Sequence, residues 1–190
     1  MSSPPPSSSF AKRCSIFNGD NLRPLFKFSQ LTQLHFEVVC TMTLTDKLVI
    51  DLGRALPCLE DLMLNGLYGC QTRSSVTFYG LFWLLALCPR LYEFGLAFDA
   101  EDLSAVNPTS DVPPEKRAPI PPPHDTSVLF VGDSRIRYPR KVATLLKDVF
   151  PRLSSIACWK ESPDLPFDRD RAEEADLHRW RWKRVEEYMK

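Results

Sequence analysis

The fold of this chain is decided by the stretch Leu56-Pro-Cys-Leu-Glu-Asp-Leu-Met-Leu-Asn65. Leucines occupy the first, fourth and sixth positions of its strand-like part, at Leu59, Leu62 and Leu64. The spacing predicts that these three leucines point into a core. Because side chains of a strand alternate between its two faces, the residues between the leucines are expected on the opposite face.

Variants of this pattern recur along most of the chain, which indicates a repeated structural unit. They cover residues 31–36, 89–96, 125–130 and 153–158. The fourth position of each unit is expected to point inward, and it falls at residues 34, 62, 94, 128 and 156. Successive units are thus separated by 28, 32, 34 and 28 residues. These steps are close to the roughly 20 to 29 residues of a leucine-rich repeat once insertions are allowed. In the fourth unit the alignment predicts that Val128 and Phe130 point inward.

Helical segments lie between the predicted strands. Thr45 is a suitable N-cap for a helix whose apolar residues follow helical spacing. Residues 75–88 are apolar almost all round, as expected of a helix packed between neighbours. A third helix is predicted to begin near Pro139.

The chain is predicted to end in a long helix over residues 168–190. Its first half is acidic and its second half basic, which complements the helix dipole. We expect Trp182, Val185 and Met189 to pack on the last repeat, so that the helix closes the end of the array. Binding of a partner by this helix is the alternative.

The predicted fold is α/β, a short and irregular leucine-rich-repeat solenoid with parallel strands on the concave face, helices on the convex face and a C-terminal helix. Residues 1–24 are predicted to be a disordered Ser/Pro-rich tail, residues 25–165 the repeat domain, and residues 166–190 the capping helix. A proline-rich loop, from about residue 104 to 124, is expected as an insertion on the outer or edge surface.

Composition limits the possible functions. The chain holds 24 basic and 24 acidic residues, so no overall field attracts nucleic acid or a membrane surface. No secretory signal opens it, and its longest apolar run is shorter than the roughly 20 residues that span a bilayer, so a cytoplasmic or nuclear location is expected. The six cysteines are interpreted as reduced, buried thiols. The three histidines are far apart, and no glycine-rich phosphate loop occurs, so neither a metal nor a cofactor is predicted.

The residues Phe130-Val-Gly-Asp-Ser-Arg-Ile136, followed by Pro139 and Trp159, resemble the C-terminal repeat region of F-box-like proteins from mushroom-forming fungi. The resemblance covers roughly residues 28–159. It implies an N-terminal F-box that docks on the adaptor of a cullin-type ubiquitin ligase, and a leucine-rich array that selects the substrate. Only 27 residues precede the first predicted repeat, too few for a three-helix F-box. We therefore expect the array alone, with the ligase adaptor as a partner only if a missing F-box exists.

A hydrolase is the alternative function. Val128-Leu-Phe-Val-Gly-Asp-Ser134 also resembles the nucleophile block of SGNH/GDSL hydrolases, in which a serine at the end of a strand attacks an ester carbonyl. Asp176 and His178 would then supply the acid and base of the triad. That mechanism needs oxyanion donors, commonly including an asparagine after the nucleophile, and no asparagine follows Ser134. The favoured hypothesis is therefore a non-enzymatic protein-binding module.

Recognition by such a module is expected on the concave face. The candidate binding residues alternate with the inward positions and grade from polar to apolar: His35, Glu37, Asp61, Met63, Asn65, Glu93, Leu129, Val131 and Trp159. Leu129 and Trp159 are expected to anchor a protein partner. The alternative is that the proline-rich loop or the terminal helix covers these apolar residues.

Overall fold

The computed structural model describes residues 16–38, 40–106, 113, 116–163 and 166–190. In chain order the elements are β1 (Ile16–Phe17), α1 (Gly19–Leu22), a 3-10 helix (Arg23–Lys27), β2 (Gln33–Phe36), β3 (Thr41–Met42), α2 (Asp46–Ala55), β4 (Asp61–Leu64), α3 (Phe78–Leu87), β5 (Glu93–Leu96), β6 (Val128–Gly132), α4 (Pro139–Val149), β7 (Ser155–Cys158) and α5 (Arg169–Met189).

The main sheet follows the order of the chain. Strands β2, β4, β5, β6 and β7 lie side by side in that sequence, and every neighbouring pair is parallel. Strands β1 and β3 form a separate two-stranded parallel sheet. Parallel neighbours need a crossover, and crossovers of one hand place the connecting helices on one face of the sheet. The α/β class, the parallel strands and the C-terminal helix are confirmed.

One face of the main sheet forms the core. Leu62 and Leu64 of β4 and Phe94 and Leu96 of β5 are fully buried in a single apolar cluster. Residues of α2, α3 and α4 belong to the same cluster, among them Leu52, Leu81, Leu85, Val142 and Leu146. Burying a side chain of this size contributes about 1.5–3 kcal/mol relative to exposure. We call this side of the sheet the core face and the other side the outer face.

The predicted orientation of β6 is wrong by one residue. Phe94 of β5 pairs with Leu129, and Leu129 in turn pairs with Ile156 of β7. Leu129 and Val131 therefore point into the core, while Val128 and Phe130 lie on the outer face. Because the segment is apolar at every position, alternation could not choose its register, and a slip of one residue exchanges the two faces.

Helix α2 is joined to α3 at their N-terminal ends. The predicted cap is confirmed, since the Thr45 hydroxyl accepts a hydrogen bond from the backbone N–H of Leu48 at 3.3 Å. The carboxylate of Asp46 accepts bonds from the N–H of Thr77 at 2.7 Å and from its hydroxyl at 2.8 Å. The same carboxylate accepts the N–H of Gly80, where a β-carbon would collide with it.

Helix α5 closes the β7 side of the structure. It packs on α4 and β7, and its side chains Ala175, His178, Trp182 and Val185 are buried at helical spacing. The Glu186 carboxylate accepts the backbone N–H of Ile156 at 2.6 Å, so it covers a donor of the edge strand. The expected packing of Trp182 and Val185 is confirmed, and Met189 is partly buried against the core.

One predicted segment boundary needs correction. Residues 16–24, assigned to the tail, contain β1, α1 and the start of the 3-10 helix, whereas residues 1–15 lie outside the described part. In the described part of residues 104–124, no α-helix or strand forms. The described part of the connection between β5 and β6 within these residues is therefore a loop. It is held by His124, whose backbone N–H donates to Val149 at 2.7 Å and whose Nδ1 lies 2.8 Å from the Leu91 carbonyl oxygen.

The described cysteines are buried or half-buried, and none of them is joined to another described cysteine by a disulfide. Cys40, Cys70 and Cys88 are buried, Cys58 and Cys158 are half-buried, and Cys14 lies outside the described residues. Burial raises the pKa of Cys88 to about 12, so its thiol stays protonated near neutral pH. These residues pack as small apolar side chains.

Candidate interaction surface

The outer face of the sheet carries two adjacent rows of side chains. Paired residues in successive strands place His35, Met63, Gly95, Phe130 and Ala157 in one row. The neighbouring row contains Gln33, Asp61 and Glu93, followed by the paired residues Val128 and Ser155. An acidic and polar strip therefore runs beside a more apolar one.

Met63 is buried on this face because Gly95 leaves room for it. Met63 is 5% exposed, yet it does not belong to the core cluster. A β-carbon at Gly95 would lie 2.5 Å from the Met63 sulfur, so the methionine side chain occupies the space above the glycine. The predicted outward orientation of Met63 is correct, but little of its surface reaches solvent.

Charged side chains at the β2 side of the outer face are held in place by polar contacts. The His35 Nε2 lies 2.5 Å from the Asp61 carboxylate, and the His35 side chain is 53% exposed. Asp61 itself is buried, and Glu93 is half-buried. The Glu37 carboxylate accepts the backbone N–H of Leu67 at 3.2 Å, and burial raises its pKa. His35, Glu37 and Glu93 are the candidate residues that remain partly accessible.

Besides Asp61 and Met63, four of the predicted binding residues are buried. Leu129 and Val131 are fully buried in the core, because the register of β6 is shifted. Trp159 is 3% exposed and stacks on His178, with ring centroids 5.3 Å apart. Asn65 is fully buried, and its side-chain oxygen accepts the backbone N–H of Val38 at 2.8 Å. The expectation that Leu129 and Trp159 anchor a partner is therefore wrong.

The terminal helix covers Trp159, which was the alternative to its surface role. Its indole N–H donates to the Ser134 carbonyl oxygen at 3.0 Å, and the indole of Trp182 donates to the same oxygen at 3.0 Å. The Arg179 guanidinium donates to the Trp159 carbonyl oxygen at 2.6 Å. The two hydrogen bonds to the Ser134 carbonyl oxygen hold the turn after β6 against α5.

Ser134 uses its hydroxyl to hold backbone groups together. The side chain is buried, its oxygen accepts the backbone N–H of Phe98 at 2.8 Å, and its hydrogen is donated to the Val131 carbonyl. The Nδ1 atom of His178 instead accepts the N–H of Ile136 at 3.2 Å. Among the described contacts, no hydrogen bond joins Ser134 to His178, so these residues are not arranged as nucleophile and base.

Asp133 is the most highly connected side chain of the same segment. Its carboxylate accepts the backbone N–H of Cys70 at 2.7 Å and of Gln71 at 3.0 Å, and it pairs with the Arg171 guanidinium at 2.8 Å. Burial raises the pKa of Asp133, while the two amides and Arg171 act in the opposite direction. Gly69, with φ of +77°, passes so close that a β-carbon there would collide with the carboxylate.

In comparisons with protein-family models, curated proteins and solved structures, the chain matched none of them. Within the described residues no group of His, Cys, Asp and Glu side chains is arranged to hold a metal ion. A search of the same residues found no helix long and apolar enough to cross a membrane.

Sequence reasoning missed the outer-face residues Val128 and Phe130, whereas Ala157 was expected to point outward. Alternation gave no signal for β6, because the run from Val128 to Val131 is apolar at every position, although Ile156 fixed the parity of β7. The proline-rich connection between β5 and β6 adds no constraint, since its length carries no information on strand register.

The pH dependence of stability should report on His178. Burial lowers the pKa of His178, and Arg181 adds to this, whereas Glu174 and Glu101 oppose it. Below about pH 6.5 the unfolded state therefore binds a proton that the folded state resists, so stability should fall on acidification until the folded pKa is reached.

Urea unfolding at pH 7.5 and pH 5.5 measures this effect. We expect the loss of unfolding free energy between the two pH values to be smaller in His178→Gln than in the natural protein. Ser155→Ala, at an exposed residue that does not titrate, serves as the control. An equal loss in the natural protein and His178→Gln would contradict the prediction.

Proposed function

We propose that this protein is a leucine-rich-repeat solenoid that binds another protein on the outer face of its sheet. The proposal is supported by five parallel strands in chain order, whose core face carries the leucines and the helices. Units of this kind stack through one shared core and leave the strand face open for recognition. Along the outer face, the acidic strip next to apolar side chains suits a partner segment that combines basic and apolar residues.

The finer proposal is that the chain acts like the substrate-recognition part of an F-box ubiquitin-ligase subunit. The resemblance of residues 130–159 to F-box-like proteins supports it. In such a role the partner is a ligase substrate, and a ligase adaptor joins only through an F-box.

The contacts of Ser134 favour binding over hydrolysis. A nucleophilic serine needs a base within hydrogen-bond reach and an exposed hydroxyl. Here the hydroxyl is buried and already bonded to Phe98 and Val131. A hydrolase centred on Ser134 would have to break both contacts before each turnover.

Substitution of Ser134 separates the two functions. We expect the natural protein to hydrolyse p-nitrophenyl butyrate no faster than Ser134→Ala does. The same substitution should lower the unfolding free energy by about 1–3 kcal/mol, because the Phe98 amide loses its buried acceptor. Ser155→Ala, at an exposed serine, is the control. Esterase activity that disappears in a stably folded Ser134→Ala would support the hydrolase instead.

Charge changes on the outer face test the binding function. The variants are Glu93→Lys and Ala157→Arg, with Glu173→Lys and Ala172→Arg on α5 as matched controls. Each is used as bait in crosslinked affinity capture with quantitative mass spectrometry. We expect the partners of the natural protein to fall about tenfold with both outer-face variants and to remain with the controls, since like charge and bulk oppose docking. An unchanged partner set with the outer-face variants would contradict the proposal.

A further inference from the structure

The fold concentrates positive charge at one place although the chain as a whole is neutral. Residues 135–147 contain five basic residues and no acidic one, and residues 177–184 contain four basic residues and no acidic one. The packing of α4 against α5 brings these two stretches together. The resulting field is local, so net charge gives no indication of it.

An open groove of about 720 Å³ lies between the N-terminal part of α4 and the C-terminal half of α5. Its walls carry five cationic side chains and no carboxylate: Arg137, Arg140, Lys141, Arg181 and Arg184. We call this region the basic groove. An anion that enters it meets attraction from both helices.

Three of these cations are both exposed and without an ion pair among the described residues. Arg184 pairs with Glu187 at 2.7 Å, and Arg181 donates to the Ile136 carbonyl oxygen at 2.7 Å. Arg137, Arg140 and Lys141 form no ion pair within the part of the chain that the structure describes, and all three are exposed. The N-terminal end of α4 also has no side-chain cap, so its partial positive charge adds to theirs.

Aromatic rings in the basic groove position the cations. Arg137 and Lys141 lie over the Tyr138 ring, with charge-to-centroid distances of 5.2 and 5.3 Å. Arg184 lies 5.1 Å over the Tyr188 ring. Because cations lie over these rings, less aromatic surface is left for stacking of nucleotide bases. Trp180 remains 62% exposed and is available for an apolar contact.

We propose that the basic groove binds a phosphorylated serine or threonine of a partner protein, with an apolar side chain of the same segment against Trp180. A phosphate carries about −1.5 to −2 charges and three strong acceptor oxygens, which matches three uncompensated cations better than a single carboxylate does. Arginine clusters are a recurring means of recognising such groups. This site does not depend on the outer face, so either can fail without the other.

Fluorescence anisotropy with labelled peptide pools tests the proposal. One pool has phosphoserine at its centre between random residues, and matched pools have serine or glutamate there. Competing probes are oligouridylate and vesicles that contain phosphatidylserine. The variants are Arg140→Gln with Lys141→Gln, and Trp180→Ala. Lys47→Gln with Arg54→Gln on α2 removes the same charge from another helix and serves as the control.

We expect the phosphoserine pool to bind at least about tenfold more tightly than the serine pool, as for charge-assisted hydrogen bonds. The Arg140 and Lys141 double variant should lose this preference, Trp180→Ala should weaken binding of the phosphoserine pool, and the α2 control should retain both. Equal binding of the serine pool, an unaffected double variant, or tighter binding of oligouridylate or vesicles would overturn the proposal. Absence of binding by every probe would do so too.

Discussion

The structure depends on the buried carboxylate of Asp133. Its oxygens accept hydrogen bonds from the backbone N–H groups of Cys70 and Gln71, which lie in the connection after β4. They also accept one from the guanidinium of Arg171 in α5. Three parts of the chain far apart in sequence therefore meet at one side chain. Breaking a buried ion pair by removing one partner costs about 3–5 kcal/mol, because the remaining charge is left without compensation. The neighbouring turn is shaped by the same need, since Gly69 and Gly132 both have positive φ and neither has space for a β-carbon.

The segment from Gly132 to Arg135 resembles a catalytic motif in sequence, but its side chains make structural contacts. Gly132 turns the chain, Asp133 binds two amides and Arg171, and Ser134 binds backbone groups of β6 and the Phe98 amide. Arg135 pairs with Glu174 of α5 at 2.7 Å. Asp133 and Arg135 fasten α5 to this turn, and the Ser134 hydroxyl fastens the turn to the chain after β5. The resemblance to a nucleophile block is then a consequence of small and polar residues at a tight strand-to-turn junction.

Much of the fold could be predicted from local sequence patterns. Which residues of a strand point into the core could not be predicted for every strand. The repeated leucines predicted the parallel strands, and the helical spacing after Thr45 predicted its cap, because both follow from short-range patterns. In β6 the run from Val128 to Val131 is apolar throughout, so only pairing of Leu129 with Phe94 and Ile156 sets its register. The terminal helix was expected as a cap, but the burial of Trp159 beneath it follows from contacts with His178 and Arg179 that no spacing reveals. Of the candidate site, His35, Glu37 and Glu93 lie in partly accessible positions, and the basic groove was missed because it joins two distant helices.

The role of Asp133 as the junction between the sheet and α5 is tested most directly by a double-mutant cycle with Arg171. Unfolding free energies are measured in urea for Asp133→Asn, Arg171→Leu and the double variant, with the exposed pair Arg169 and Glu173 as a reference cycle. The account predicts a coupling energy of about 1–3 kcal/mol between Asp133 and Arg171, against less than about 0.5 kcal/mol for the reference pair. Additive effects of the Asp133 and Arg171 substitutions, with no coupling above the reference pair, would contradict it.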